Sequence, residues 1–128
     1  MATRILLADT PNGDRRLADI LAGHELVVVR NLQEARAALA QDGISLVLVG
    51  VHFDDSRMFD LLRGLQDSSI PVACMRSHRF ASPAISIENL KIATSALGCK
   101  LFVDLTEYPD DAQGNAAVRR LLESLIRP

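Results

Sequence analysis

Five short apolar runs, each separated from the next by a helix-like stretch, constrain the fold of this chain more than any other feature. They are Ile5 to Ala8, Leu26 to Val29, Leu46 to Val49, Val72 to Met75 and Leu101 to Val103. Alternation of this kind is typical of parallel βαβ units. Runs such as LVLVGV are apolar at successive positions, which indicates strands covered by helices on both faces.

Helix-start signals occur in the stretches between these runs. They combine capping hydroxyls, amides or carboxylates with prolines or acidic residues in the first turn. The signals, in chain order, are Thr10-Pro11, Asn31 with Glu34, Asp54 with Asp55, Ser82-Pro83 and Pro109-Asp110-Asp111. The last helix has an apolar face formed by Val118, Leu121, Leu122 and Leu125.

Five strand–helix units predict an α/β fold with a doubly wound parallel sheet. Right-handed crossovers favour the flavodoxin-like strand order 2-1-3-4-5. The 128 residues suit a single domain spanning residues 1–128. Because ligands of such sheets gather at the carboxyl ends of strands 1 and 3, the functional residues are expected around Asp9 and Gly50.

Composition excludes several classes of function. The formal net charge is -2, which disfavours direct nucleic-acid binding. No apolar run approaches the roughly 18 residues of a membrane span, so we expect a soluble cytoplasmic protein. Cys74 and Cys99 fall in apolar segments without metal-ligand spacing, and we expect core thiols.

Motifs of catalysis and cofactor binding are absent from the sequence. There is no GxSxG, Walker A, GxGxxG or HExxH pattern, so we predict a non-enzymatic protein without cofactor or metal. His52 is a single histidine in a predicted loop, which favours a solvent-facing residue over a ligand, and His24 and His78 have no better claim.

Several segments resemble the receiver domains of response regulators. RILLADT is similar to the opening receiver strand, ISLVLVGVHFDDSRMFDLLRGL to the third strand with its helix, and IPVACMR and GCKLFVDL to the fourth and fifth strands. The resemblance covers nearly the whole chain. It implies a signalling module that takes up phosphate on an aspartate beside magnesium.

The positions that carry receiver chemistry have changed in this sequence. Asp9 keeps its type, but Thr10 replaces the second acidic residue and Gly50 the phosphoacceptor aspartate. Arg76 stands where the family has Thr or Ser, and Leu105 where it has Lys. Glycine has no nucleophile, threonine lacks the charge that favours a hard cation, and leucine cannot neutralise a phosphoryl oxygen. The resemblance therefore implies a degenerate phosphorylation pocket.

Two further features leave alternatives open. Asp54 and Asp55 favour helix capping over a role as substitute acceptor. The stretch RSHRFASPAISI after strand four is longer than in the family, and its Arg76, His78, Arg79 and Phe80 form either a solvated turn or part of a recognition surface.

In the helix predicted after Pro83, apolar residues cover a wider arc of the helix surface than packing against a sheet requires. This surplus indicates either an interface or deeper burial under the long loop. The fourth helix, fifth strand and fifth helix form the partner face of receivers. The predicted interface residues are Ile85, Ile92, Ala96 and Phe102.

These observations favour a pseudo-receiver: a phosphorylation-independent module that acts through contacts with a protein partner, here of unknown identity, and that forms a homodimer. The alternative is a small-ligand or nucleotide binder that uses the space opened by Gly50. Within the degenerate pocket, Arg76 is expected to pair with Asp9 through two parallel hydrogen bonds, or else to point into solvent.

Overall fold

The computed structural model describes residues 3–41, 43–54, 57–77 and 86–126. Five parallel strands form one sheet in the predicted order β2-β1-β3-β4-β5, which is the flavodoxin-like arrangement. The strands are β1 (Arg4–Ala8), β2 (Glu25–Val29), β3 (Ile44–Gly50), β4 (Val72–Arg76) and β5 (Leu101–Asp104). The α-helices are α1 (Asp14–Ile20), α2 (Leu32–Leu39), α3 (Met58–Gly64), α4 (Ile87–Ala96) and α5 (Ala112–Ile126).

The central strands are buried on both faces, which explains their uninterrupted apolar runs. In β1, Leu6 and Ala8 belong to the core beneath α2, α3 and α4. Ile5 and Leu7 belong to the core beneath α1 and α5. All four side chains are fully buried. Each successive residue of β1 therefore contributes to a different helix–sheet interface.

Two helix starts follow the sequence prediction. The Asn31 side chain accepts a hydrogen bond from the Glu34 backbone N–H at 2.8 Å and caps α2. The Glu34 carboxylate in turn accepts from the Arg30 backbone N–H at 2.8 Å. Asp111 accepts from the Gly114 N–H at 2.8 Å at the start of α5. Both caps satisfy backbone donors that the first helical turn leaves free.

Two other helix starts differ from the prediction. Thr10 makes no side-chain capping bond, because residues Pro11–Gly13 form a 3₁₀ turn and α1 begins only at Asp14. Asp54 does not cap α3. Its backbone has a φ of +44°, and its carboxylate accepts from the Leu32 N–H of α2 at 2.8 Å. Asp54 thus caps the neighbouring helix.

The helix expected after Pro83 begins at Ile87. Ser86 caps it by accepting from the Asn89 N–H at 3.2 Å. The Ser82-Pro83 signal lies outside the described residues.

One arginine joins α1 to the connection between β5 and α5. The Arg16 guanidinium donates to the carbonyl oxygens of Leu105 (2.7 Å), Tyr108 (2.8 Å) and Pro109 (2.9 Å), and to Asn115 Oδ1 (3.0 Å). These bonds hold the segment that leaves the carboxyl end of β5. Across the described ranges, no helix, α5 included, is both long and apolar enough to cross a membrane.

Candidate signalling site

The carboxyl ends of the strands meet at one edge of the sheet, where the sequence placed the candidate site. The register between β1 and β3 brings Asp9 beside Gly50. The register between β4 and β5 pairs Arg76 with Asp104. Predicted site residues are therefore brought together at this edge, alongside Asp104, which the sequence analysis did not single out.

The Asp9 carboxylate is buried in a cradle made by two glycines. Asp9 is 1% exposed. A Cβ built on Gly50 would lie 2.8 Å from Asp9 Oδ2, and closer still to Oδ1 and Cγ. A Cβ on Gly13 would lie 3.3 Å from the same Oδ2 and 2.9 Å from the Cβ of Ser77. The space expected to be open beside Gly50 is therefore occupied by the Asp9 carboxylate.

Arg30 places a cation next to this cradle. Its guanidinium donates to the Asp9 carbonyl oxygen at 2.8 Å. It also donates to both carboxylate oxygens of Asp14, with one bond at 3.2 Å. The hydrogen bond with Asp14 raises the pKa of Arg30, and the negative charges of Asp14 and Asp9 add to this effect. The available sequence signal was the position of Arg30 at the end of a strand, directly before a helix cap.

Arg76 forms a two-pronged ion pair with Asp104. Its Nε donates to Asp104 Oδ1 at 3.1 Å and its Nη2 donates to Oδ2. The Thr106 hydroxyl and N–H also donate to Oδ1, at 2.6 and 3.0 Å. The two parallel hydrogen bonds expected between Arg76 and Asp9 are therefore made with Asp104, because the strand register brings Asp104 alongside.

The environment of Asp104 favours its charged form. Asp104 is 4% exposed. Burial by itself raises the pKa of Asp104, but the hydrogen bonds from Arg76 and Thr106 lower the pKa below its ordinary value. Asp104 is thus a buried carboxylate that is held by donors.

Leu105 and Thr10 offer little to a phosphate or a metal. Leu105 is 1% exposed and belongs to the core beneath α1 and α5, so the polar side chain at this strand end is that of Asp104. The hydroxyl oxygen of Thr10 is buried and makes no hydrogen bond within the described part of the chain. Within that same part, no group of three His, Cys, Asp or Glu side chains could hold a metal ion.

The loop after β3 does not present Asp54 as a free acceptor, because its Oδ2 accepts the Leu32 N–H. His52 is half-buried. Asp55 lies outside the described residues.

Two of the predicted interface residues lie on the outer face of α4, beside the polar side chains of Glu88 and Ser95. Ile92 is 70% exposed, and Ala96 is exposed one turn further along. Leu90 and Leu97 turn inward and pack against the core. Phe102 is half-buried and packs partly against that core, so it contributes less to the surface than expected. The predicted residues that lie outside the described ranges are His78, Arg79, Phe80 and Ile85.

The two cysteines are buried free thiols, as predicted. Cys99 lies in the turn before β5, where its Sγ donates to the Leu101 carbonyl oxygen at 3.0 Å. A hydrogen bond with Cys99, together with burial, raises the pKa of the Cys74 thiol. Cys74 is therefore a protonated core residue.

Similarity to proteins of known structure is extensive. A two-component response regulator from Clostridium difficile has a TM-score of 0.75 at 15% identity, covering 98% of this chain and 96% of its own. A response regulator from Thermotoga maritima has a TM-score of 0.74 at 17% identity, covering 98% of both chains. The receiver domain of a signal transduction histidine kinase from Syntrophus aciditrophicus has a TM-score of 0.67 at 24% identity, covering 99% of this chain and 95% of its own.

These matches establish the fold: the chain has the architecture of a response-regulator receiver domain. No protein-family model matches the sequence. No curated protein matches it either.

Proposed function

We propose that this chain is a cytoplasmic signalling module of the receiver type that acts through protein contacts and is not switched by phosphorylation. The burial of the Asp9 carboxylate against Gly50 carries this proposal. Gly50 offers no nucleophile, and the space of an acceptor side chain is already filled. Phosphate entry at this point would require Asp9 to leave its cradle.

The charges around the cradle also disfavour a divalent cation. Thr10 supplies no carboxylate, and the guanidinium of Arg30 lies close to Asp9 and pairs with Asp14. Magnesium is held in proteins by carboxylates, phosphates and water at short distances. A cation here would meet the Asp9 carboxylate with the Arg30–Asp14 ion pair beside it, which supports a module that is not switched by magnesium-dependent phosphorylation.

Phosphorylation can be tested directly by intact-mass spectrometry after incubation with acetyl phosphate and millimolar Mg²⁺. We expect no added phosphate, under conditions in which an active receiver domain run in parallel is labelled. Saturable labelling that requires Mg²⁺ would contradict the proposal. If labelling occurs, loss of the label in Asp54→Asn would assign it to the loop after β3.

The partner surface that we propose is the outer face of α4, and the partner is a second copy of the chain. Ile92 is a large apolar side chain that is 70% exposed, and Ala96 is exposed on the next turn. Ile92→Lys should weaken self-association in sedimentation velocity, whereas Val28→Lys should not. Val28 is a matched control because it is 44% exposed on β2, at the far edge of the sheet. A wild-type chain that sediments as a monomer at high micromolar concentration would exclude the homodimer.

A further inference from the structure

A groove follows the seam between α2 and α3. Two adjoining cavities, of about 390 and 330 Å³, share Arg36 as a wall. The first lies at the start of α2 beside Arg57, and the second continues to Gly64 and Ile70. Each volume is in the range that proteins use to bind ligands and side chains. We refer to the two cavities together as the α2–α3 groove.

The floor of the second cavity is apolar. Leu61 and Leu65 are buried at its base, with Leu39 and Ile70 half-buried beside them. Gly64 leaves open space at one wall of the groove, because a Cβ built there would meet no other atom within 4 Å. A partner can therefore cover Leu39 and Ile70 and remove their apolar surface from water.

The rim at the start of α2 carries two positive charges that the fold does not use. Arg36 and Arg57 are exposed, and neither forms an ion pair with the described residues. Two carboxylates line the same cavities: Asp60 pairs with Arg63 at 3.4 Å, and Asp54, which keeps its negative charge, caps α2. Three arginines against two aspartates leave an excess of one positive charge among these described side chains, whereas the whole chain has a net charge of -2.

We propose that the α2–α3 groove binds a short amphipathic segment of a partner protein, with carboxylates at one end and apolar side chains behind them. The carboxylates would pair with Arg36 and Arg57, and the apolar side chains would cover Leu39 and Ile70. Recognition of a helix by a groove follows this division, with apolar anchors at helical spacing for affinity and charges that fix orientation. The proposal deepens the protein-contact function by naming the chemistry of one partner.

Selection of peptides on the intact chain tests this inference. The probe is a phage-displayed library of random peptides of roughly 16 residues, long enough for several helical turns. Selected peptides should share clustered carboxylates followed by apolar residues at i, i+3, i+4 and i+7. In fluorescence anisotropy, Gly64→Trp should raise Kd by about tenfold or more by filling the groove. The double variant R36E/R57E should raise Kd at least as much and reverse the salt dependence, because salt would then screen a repulsion between carboxylates.

Matched controls separate the groove from other surfaces. Ala18→Trp places the same indole on the exposed face of α1 and should leave Kd unchanged. Ile92→Lys should also leave Kd unchanged, so failure of the homodimer and failure of the groove are distinguishable. Circular dichroism checks that each variant is folded. The inference is overturned if no peptide is selected, if the selected peptides lack carboxylates, or if they bind Gly64→Trp as tightly as the wild type.

Discussion

Two buried carboxylates stand at the same edge of the sheet, and the protein accommodates them in different ways. At the β4–β5 end, Asp104 is held by donors, the guanidinium of Arg76 and the hydroxyl of Thr106. At the β1–β3 end, the Asp9 carboxylate occupies space that Gly50 and Gly13 leave open, because neither glycine has a side chain that would compete for this position. The stability of the first region depends on donors that a substitution can remove. The stability of the second depends on space that a new side chain can fill.

This difference bears on the signalling proposal. The proposal rests on the β1–β3 end, where the Asp9 carboxylate packs against Gly50 in the space that an acceptor side chain would need. The β4–β5 end is closed by an ion pair between neighbouring strands. Both features are consistent with the proposed module that phosphorylation does not switch.

The largest effect is expected from Gly50→Asp, which places an aspartate at the position that the receiver resemblance assigns to the phosphoacceptor. The new side chain would compete with the Asp9 carboxylate and bury a second negative charge beside it. We expect the free energy of unfolding to fall by at least about 3 kcal/mol in urea denaturation. Gly64→Asp is the matched control in open space, with an expected change within about 1 kcal/mol. A stable Gly50→Asp protein that accepts phosphate would show that the space beside Asp9 does not exclude an acceptor side chain.

A smaller effect is expected from Arg76→Met at the other end of the edge. The substitution keeps the apolar part of the side chain but leaves Asp104 without its guanidinium. Since Thr106 still donates to Asp104, we expect a loss of about 2–3 kcal/mol in the same assay. Arg63→Met removes an exposed pair with Asp60 and should cost less than about 1 kcal/mol. Equal losses in the two variants would mean that the pair at the sheet edge is no stronger than a surface pair.

The smallest change in the free energy of unfolding is expected when the pH is lowered. The lowered pKa of Asp104 means that its contribution to stability is present above the ordinary aspartate pKa of about 3.9 and is lost as pH falls through the folded-state value. Unfolding free energies measured between neutral pH and pH 3 should therefore decline more steeply for the wild type than for Asp104→Asn. Parallel curves would show that the donors around Asp104 do not favour its charged form.

Local sequence signals predicted the fold well. The apolar runs fixed the strands, and Asn31 and Asp111 capped helices through residues three positions away. Such signals predict local structure correctly because both hydrogen-bonding residues lie within one helical turn of each other. Strand order followed from the handedness of the connections, which also requires no knowledge of side-chain contacts.

Partners distant in sequence were not predictable in the same way. Asp54 caps α2, 22 residues away, because the fold brings the loop after β3 to that helix. Arg76 pairs with Asp104, 28 residues away, through the register of two strands. The sequence predicts a pocket without an acceptor at Gly50, but the position of the Asp9 carboxylate depends on three segments meeting at one edge.

A double-mutant cycle between Asp9 and Gly50 tests the central claim most directly. Gly50→Ala adds only the Cβ that the Asp9 carboxylate excludes, so it should cost about 2 kcal/mol of unfolding free energy in the wild type. In the Asp9→Ala background the same substitution should cost close to nothing, giving a coupling of about 1.5–2 kcal/mol. Additivity of the two substitutions to within about 0.5 kcal/mol would contradict the account, because it would mean that the carboxylate does not occupy the acceptor's space.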